Sequence, residues 1–503
     1  MTDVIKFPIV YVRGFAGDAS GINSAVMDPF YGFNEGSTHV RVGPDDQPSF
    51  YQFESPLLRL HLDEDYRILV EGDQEAYLDS HDDIPPNSIW VHRFYDVSAS
   101  TWGGNPEGFR LEDAAAGLLR LIEKLQAKTG APRVILVAHS MGGLVCRCLL
   151  QKILPDLNRE PTDYVEKLFT YGTPHGGIAF DIGSGLLEKI RDATGINGAD
   201  IFGPQRMYEY LTPENDVDPQ GRPDSWSARD MPERDGAFPR HRVFCLVGTD
   251  PKDYEVALGL SSAAVGARSD GLVQIENAYV PGAHRAYVHR SHSGRYGLVN
   301  SEEGYQNLRR FLFGDRKVEA ALVNHQFASG DGVTWQAEVQ LSVRGLPIVM
   351  HEQLASHWCP IQLSGRPADD ATDGAVTLAT TFLCGDLSRP PGSGTMRYAL
   401  HVRILSLREH HGFLSFGDHL ERAADFDDTL VVDVGTAHSG PGIWATWNSL
   451  IPGAISQHEP GGTPLSDEDP QSGTWVAHIP LPATAVPILG DRSSIRLAVT
   501  PWD

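Results

Sequence analysis

The sequence predicts an α/β domain built on a mostly parallel sheet, followed by a domain that forms an antiparallel β-sandwich. At 503 residues the chain exceeds the size that one hydrophobic core usually organises, so two domains are expected. Over residues 1–315, short apolar runs alternate with helical patterns, as in parallel α/β sheets. Over residues 316–503, apolar and polar residues alternate in steps of two, which is typical of half-buried strands.

The elements of the first domain are assigned from the periodicity of its apolar residues. Helices are predicted from about Leu111 to Lys128 and from Glu302 to Phe313, because the apolar residues of each fall on one face. Five runs are predicted as strands, namely Phe7–Val12, Ile89–Tyr95, Val134–Val137, Leu168–Tyr171 and Val243–Val247. Strands and helices that alternate at this spacing indicate a parallel sheet.

Two long irregular stretches interrupt this pattern. Residues from about 21 to 86 are acidic and aromatic, and residues 178–240 combine a helical piece, Leu186–Arg191, with a polar run. A stretch of this length inside a compact domain is usually a functional insertion, so we expect a cap or lid over a site. The alternative is a solvated surface excursion.

The second domain shows the two-residue period of sheets in several segments. Val333, Trp335, Ala337 and Val339 alternate with polar residues, and a similar pattern ends the chain near Leu497. We expect this β-sandwich either to contact a substrate or a protein, or to stabilise the first domain by packing.

Charge and hydropathy exclude several kinds of partner. The net charge of −25 disfavours nucleic acid and anionic membranes, since both would repel the chain at long range. No stretch approaches the roughly twenty apolar residues of a transmembrane helix. Residues 1–6 lead into a strand without the apolar core of a signal peptide, so we expect a cytoplasmic location.

The cysteines are predicted to be buried, reduced thiols. They are Cys146, Cys148, Cys245, Cys359 and Cys384. Their odd number and their scatter through apolar segments do not suit a disulfide framework. The Cys-x-Cys pair at residues 146–148 lacks partners at metal-ligand spacing, so no zinc site is predicted.

One serine stands at a sharp junction between two apolar elements. Ser140 follows the strand-like run Val134–Val137 and precedes an apolar helix. The small residues Ala138, Gly142 and Gly143 allow the strand and the helix to approach closely around a turn that exposes the Ser140 hydroxyl. This pattern is typical of the nucleophile elbow of a serine hydrolase.

A serine nucleophile needs a histidine base and an acid that orients it. In this fold the order along the chain is serine, acid, histidine, so the acid is expected after Val247. Asp270 is favoured and Asp250 is the alternative. Asp250 precedes Pro251, and an Asp-Pro pair often begins a turn, which would explain this aspartate without a catalytic role.

The base is expected in the loop before the last helix of the domain, where three histidines are found. His292 is favoured because it lies beyond a strand-like segment, where a loop residue can point back over the sheet edge. His289 and His284 are the alternatives.

An oxyanion in this reaction needs two backbone N–H donors. The residue after the nucleophile, Met141, is predicted to supply one, and Phe15, in the glycine-containing loop after the first strand, the other.

These motifs resemble the bacterial lipase and esterase group of the α/β-hydrolase superfamily over roughly residues 5–313. The segments that carry the resemblance are Ala138–Gly143, Gly172–Gly177 and Ser269–Val273. The resemblance implies an α/β-hydrolase fold and carboxylic ester hydrolysis, with Ser140, Asp270 and His292 as the triad and an ester or lipid as substrate. No cofactor is expected.

Two positions depart from that group. Arg13 stands where these lipases usually carry a histidine, and His292 lacks the nearby aspartate that serves calcium in the calcium-binding members. We therefore predict no metal. The same triad would also serve an acyltransferase or a thioesterase, and a binding protein on a degenerate hydrolase fold is the alternative from another class.

Overall fold

The computed structural model describes residues 6–14, 30, 32–42, 47–70, 72–92, 94, 110–178, 201–252, 267–327, 333–363, 374–388, 393–408, 424–436 and 442–503. The chain forms two compact units. One contains Met1–Arg285 and His289–Tyr305, and the other contains Ala286–Val288 and Gln306–Asp503. The predicted division between residues 315 and 316 stays a prediction.

A seven-stranded sheet forms the framework of the α/β part. Its strands are β1 (Ile9–Val12), β4 (Arg67–Ile68), β5 (Ser88–Val91), β6 (Val134–His139), β7 (Val165–Tyr171), β8 (Val243–Gly248) and β9 (His284–Val288). Strands β2 (Ser37–Val42) and β3 (Pro48–Phe53) lie between β1 and β4 in the chain and pair with each other. The order in the sheet is β4-β5-β1-β6-β7-β8-β9, and the neighbours from β4 to β8 pair in parallel. The predicted α/β-hydrolase fold class is confirmed.

Parallel pairing determines where a site can form. The carboxyl ends of neighbouring parallel strands lie at one edge of the sheet, where ligands bind in open α/β folds. The last residues of β1, β6 and β7 are Val12, His139 and Tyr171, so the loops after these strands meet at that edge.

The helices are α1 (Pro56–Glu64), α2 (Gln74–Ser80), α3 (Leu111–Thr129), α4 (Met141–Cys148), α5 (Leu154–Asp156), α6 (Pro204–Leu211), α7 (Glu302–Phe313) and α8 (Val486–Leu489). Helix α3 buries Leu118, Ile122 and Leu125 on one face, as its periodicity predicted, and ends at Gly130 with a left-handed φ of 68°. All eight residues of α4 are buried, which agrees with a helix that lies inside the domain.

Both predicted insertions are partly described. The first contains the antiparallel hairpin β2–β3 and the helices α1 and α2. The second contains α6, whereas the predicted helical piece Leu186–Arg191 lies outside the described residues. A cap or lid role for either insertion stays a prediction.

The second unit is rich in β-structure. Its strands are β10 (Arg316–Val323), β11 (Val333–Val343), β12 (His351–Gln353), β13 (Ile361–Gln362), β14 (Val376–Leu383), β15 (Thr395–Arg408), β16 (Phe426–Gly435), β17 (Ile443–Trp447), β18 (Trp475–Pro480) and β19 (Ser494–Pro501). They form antiparallel sheets of order β14-β10-β19-β18 and β12-β11-β15-β16-β17, and β13 pairs with β11. One hydrophobic cluster contains residues of both sheets, including Leu497 and Leu400. A β-rich C-terminal domain agrees with these sheets, and the β-sandwich arrangement stays a prediction.

The five cysteines are free. Four are buried and Cys384 is half-buried, as the apolar surroundings of the cysteines predicted. Among the helices that the structure describes, none is long and apolar enough to cross a membrane.

Candidate active site

Ser140 occupies a strained turn between β6 and α4. Its backbone has φ 53° and ψ −129°, in the positive-φ region that residues with a side chain rarely adopt. Two glycines make this turn possible. A Cβ atom added at Gly142 would lie 2.2 Å from the Val12 carbonyl oxygen, and one added at Gly14 would lie 2.6 Å from the Ser140 Cβ atom. The predicted need for small residues around the serine follows from these backbone approaches.

Hydrogen bonds from the neighbouring strand hold the turn in place. The Ser140 N–H donates to the carbonyl of Tyr171, at 2.9 Å. The Thr173 hydroxyl donates to the carbonyl of Ser140, also at 2.9 Å. Both main-chain groups of the strained residue are therefore bonded to β7 or to the loop after it.

The structure brings Ser140, His292 and Asp270 together. The Nε2 atom of His292 lies 2.9 Å from the Ser140 hydroxyl, and its Nδ1 atom lies 2.8 Å from Oδ2 of Asp270. The three side chains are buried, with 4%, 2% and 0% of the residue surface exposed for Ser140, His292 and Asp270. A neutral imidazole that donates from Nδ1 to the carboxylate can accept the serine proton at Nε2.

Asp270 is fixed by main-chain donors. Its Oδ1 atom accepts from the N–H groups of Leu272 and Val273, at 3.0 and 2.8 Å. The N–H of His292 donates to the Asp270 carbonyl at 2.8 Å. Oδ1 is thus occupied by backbone donors, and Oδ2 faces the imidazole.

The alternative residues from the sequence lie elsewhere. His289 Nε2 is 3.9 Å from Oδ2 of Asp250, and His289 Nδ1 is 3.3 Å from the Thr249 hydroxyl. His284 is the first residue of β9. Asp250 and His289 lie near each other, whereas the residue hydrogen-bonded to Ser140 is His292.

Part of the chain is similar in sequence to known proteins. Residues 107–187 match the family described as PGAP1-like alpha/beta domain. A triacylglycerol lipase of Pseudarthrobacter phenanthrenivorans is 33% identical over 108 residues, which is 20% of this chain and 31% of that protein. For a triacylglycerol lipase of Burkholderia plantarii, the identity is 33% over 108 residues, 20% of this chain and 27% of that protein. These matches support the lipase and esterase group of the α/β-hydrolases. The chain spans less than a third of the length of either lipase.

Two solved lipase structures are similar to part of this chain. Bacillus licheniformis lipase BlEst2 is 17% identical, with 62% of this chain and 93% of that chain covered at a TM-score of 0.33. Aspergillus fumigatus lipase B is 11% identical, with 61% of this chain and 52% of that chain covered at a TM-score of 0.28.

One of the two predicted oxyanion donors lies within the described residues. Met141 is the first residue of α4, and the N–H groups of a first helical turn have no carbonyl acceptor within the helix. Phe15 lies outside the described residues. Gly14, which precedes Phe15 in the sequence, approaches Ser140 closely.

His139 is a site residue that sequence reasoning missed. Its Nε2 atom lies 2.8 Å from the carbonyl oxygen of His292, and the centroids of the two rings are 4.9 Å apart. Desolvation, together with the electrostatic interaction with His292, lowers the pKa of His139 to about 3. The sequence shows a histidine next to the serine, but only the fold shows that it contacts His292.

Arg147 connects helix α4 to the second insertion. Sequence reasoning missed this residue as well. Its buried guanidinium donates to the carbonyls of His175, Ala228 and Asp230, at 3.1, 2.7 and 2.6 Å. Desolvation lowers the pKa of Arg147 to about 10, so it stays charged at neutral pH. Three carbonyl dipoles therefore stabilise the cation, and the cation joins α4 to the chain near residue 230.

Within the described ranges, no group of three or more His, Cys, Asp or Glu side chains is arranged to hold a metal ion. The expectation that the protein uses no metal and no cofactor stays a prediction.

Proposed function

We propose that this protein is a serine carboxylic ester hydrolase of the lipase and esterase type, with Ser140 as nucleophile, His292 as general base and acid, and Asp270 as the residue that orients His292. The observation that carries the proposal is the continuous hydrogen-bonded chain from Oδ2 of Asp270 through both nitrogens of His292 to the Ser140 hydroxyl, at 2.8 and 2.9 Å. The strained backbone of Ser140 supports the same assignment, since strain at a non-glycine residue is concentrated at functional sites.

In the acylation half of the reaction, the Ser140 oxygen attacks the acyl carbon of the ester while His292 Nε2 takes the hydroxyl proton. The tetrahedral intermediate collapses, the bond from the acyl carbon to the alcohol oxygen breaks, and His292 returns its proton to that oxygen. Asp270 stabilises the imidazolium that exists between these two proton transfers.

In the deacylation half, water attacks the acyl-enzyme and gives one proton to His292. The bond between the acyl carbon and the Ser140 oxygen then breaks, and His292 returns the proton to the serine. The products are a carboxylic acid and an alcohol, and no step requires a metal or a cofactor.

The negative charge of each tetrahedral intermediate needs donors that are already in place. We assign one to the N–H of Met141, which belongs to the first turn of α4, where the helix dipole also favours negative charge. We assign the second to the N–H of Phe15, as expected from the sequence. Sequence similarity to triacylglycerol lipases supports an ester of a fatty acid as the substrate class.

The test is active-site labelling combined with an ester panel. Wild type and Ser140→Ala are treated with a fluorophosphonate and are assayed on p-nitrophenyl esters of graded chain length, with and without an alcohol acceptor. Ser140→Ala should lose the label and at least about 10⁴-fold in kcat. The alcohol acceptor separates hydrolysis from acyl transfer, because transfer yields a new ester.

Ser88→Ala is the matched control. Ser88 is a fully buried serine at the start of β5, where its hydroxyl accepts a hydrogen bond from the Trp90 indole. This variant should keep the label and the wild-type kcat. Equal activity in wild type and Ser140→Ala would refute the proposed nucleophile.

A further inference from the structure

The position of His292 relative to Ser140 depends on more than Asp270. Asp270 and His292 lie in loops outside the central strands, whereas Ser140 directly follows β6. The 2.9 Å distance between His292 Nε2 and the Ser140 hydroxyl therefore requires a connection between the His292 loop and β6.

His139 makes such a connection. It is the last residue of β6, and its Nε2 atom is 2.8 Å from the carbonyl oxygen of His292. A carbonyl oxygen can only accept, so the His139 Nε2 atom carries the proton and donates. The hydrogen bond joins the residue before the nucleophile directly to the backbone of the base.

With this bond, His292 is held at three groups. Its N–H donates to the Asp270 carbonyl, its Nδ1 atom is bonded to the Asp270 carboxylate, and its carbonyl accepts from His139. The first two bonds fix His292 relative to Asp270 alone. The third bond fixes it relative to β6, the strand that Ser140 directly follows.

We propose that His139 is a positioning residue, whose neutral ring donates to the His292 carbonyl and so sets the distance between the base and the Ser140 hydroxyl. This inference rests on the proposed esterase function. His139 touches neither the substrate nor the reacting oxygen in this assignment, and acts through His292.

The electrostatics of the pair agree with this role. His292 becomes positively charged during the reaction, and a second cation with its ring 4.9 Å away would oppose that charge. His139 is half-buried, and its lowered pKa of about 3 means that the ring is neutral at pH 7. The ring can therefore hold the His292 loop without repelling the imidazolium.

The experiment compares variants that differ in the donor at residue 139. His139→Phe keeps a ring and removes the donor, His139→Leu removes both, and His139→Gln supplies a side-chain N–H of similar reach. A displacement of about 1 Å in a catalytic group costs on the order of a hundredfold in rate, so the Phe and Leu variants should lose between about tenfold and a hundredfold in kcat. KM should change little, and the Gln variant should recover most of the loss.

His92→Leu is the matched control in the same unit. His92 is a buried histidine whose Nε2 atom, like that of His139, bonds a carbonyl, here that of Ala114 in α3, at 2.7 Å. If His139 only stabilises the fold, then His139→Phe, His139→Leu and His92→Leu should all have lower melting temperatures and an unchanged kcat. That result would overturn the proposal, as would a Gln variant that is as slow as the Phe variant.

A proton NMR measurement separates this inference from the proposed function. The low-field resonance of the His292 Nδ1 proton, which reports its bond to Asp270, is recorded without substrate in all five proteins. It should be present in wild type, His139→Gln and His92→Leu, and shifted or lost in His139→Phe and His139→Leu. If wild type neither labels nor hydrolyses esters but the resonance depends on residue 139, the esterase assignment fails and the positioning role stands. If esters are hydrolysed and neither kcat nor the resonance responds to residue 139, the positioning role fails alone.

Discussion

Replacement of Asp270 by asparagine tests the orientation of the triad most sharply. Oδ1 of Asp270 accepts from the N–H groups of Leu272 and Val273. An NH₂ group cannot accept from these donors, so the Asn carbonyl oxygen must take the Oδ1 position. The NH₂ group then faces Nδ1 of His292, and the imidazole must accept there and carry its proton on Nε2. Such a histidine donates towards the Ser140 oxygen and cannot take its proton.

The free-energy cost of rotating the asparagine amide so that its oxygen faces His292 determines how far kcat falls. If the amide rotates so that its oxygen faces His292, both main-chain bonds, at 3.0 and 2.8 Å, are lost and two buried N–H groups face an NH₂ group. Each buried donor left unsatisfied costs about 1–3 kcal/mol, so the productive arrangement lies about 2–6 kcal/mol above the unproductive one. At 1.4 kcal/mol for each factor of ten, kcat should fall between about 30-fold and 10⁴-fold.

The assay is the steady-state hydrolysis of a p-nitrophenyl ester at pH 7, with fluorophosphonate labelling rates as a second measure. Asp250→Asn is the matched control, because Asp250 is also a buried acid that accepts a main-chain N–H, from Lys252, and lies near a histidine. It should change kcat by no more than about threefold. An Asp270→Asn enzyme that keeps more than a tenth of the wild-type kcat would show that the tautomer argument, or the assignment of Asp270, is wrong.

Two further predictions concern stability. Gly142→Ala places a Cβ atom 2.2 Å from the Val12 carbonyl oxygen, so it should destabilise the fold by at least about 2 kcal/mol in urea unfolding. Gly72→Ala, where an added Cβ atom meets nothing within 4 Å, should change the stability by less than about 0.5 kcal/mol, and equal midpoints for the two variants would contradict the steric argument. Burial lowers the pKa of His92 from 6.5 to about 4, so below pH 6.5 the unfolded chain binds a proton that the folded chain does not. The contribution of His92 to the free energy of unfolding is therefore fully present above pH 6.5. It should decrease by about 3 kcal/mol as the pH falls to 4. His92→Gln should show a shallower loss over that pH range, and an unchanged slope would mean that His92 is not the group that titrates.

The strained turn at Ser140 was predictable because its determinants are local. A strained turn between a strand and a helix requires small residues at fixed positions around Ser140, and Gly142 and Gly143 follow it two and three residues later in the chain. The amphipathic period of α3 predicted its start at Leu111 and its end within one residue of Thr129 for the same reason.

The partners of Ser140 depend on contacts between distant parts of the chain. Asp250 and Asp270 both follow β8, and His289 and His292 are three residues apart, so chain order alone left each choice open. The backbone of the loops decides which pair meets, since Asp270 is held by the N–H groups of Leu272 and Val273 with its second oxygen towards His292. The catalytic roles that this geometry supports stay predictions until they are measured.

The sequence by itself determined the fold class and the turn at Ser140, because periodicity and small residues act within a few positions of each other. Only the tertiary structure decided that Asp250 pairs with His289, that Asp270 pairs with His292, and that His139 contacts the His292 carbonyl. The last two of these contacts are hydrogen bonds, and all three join parts of the chain that meet only in the folded protein. Their formation depends on backbone geometry that residue spacing does not encode.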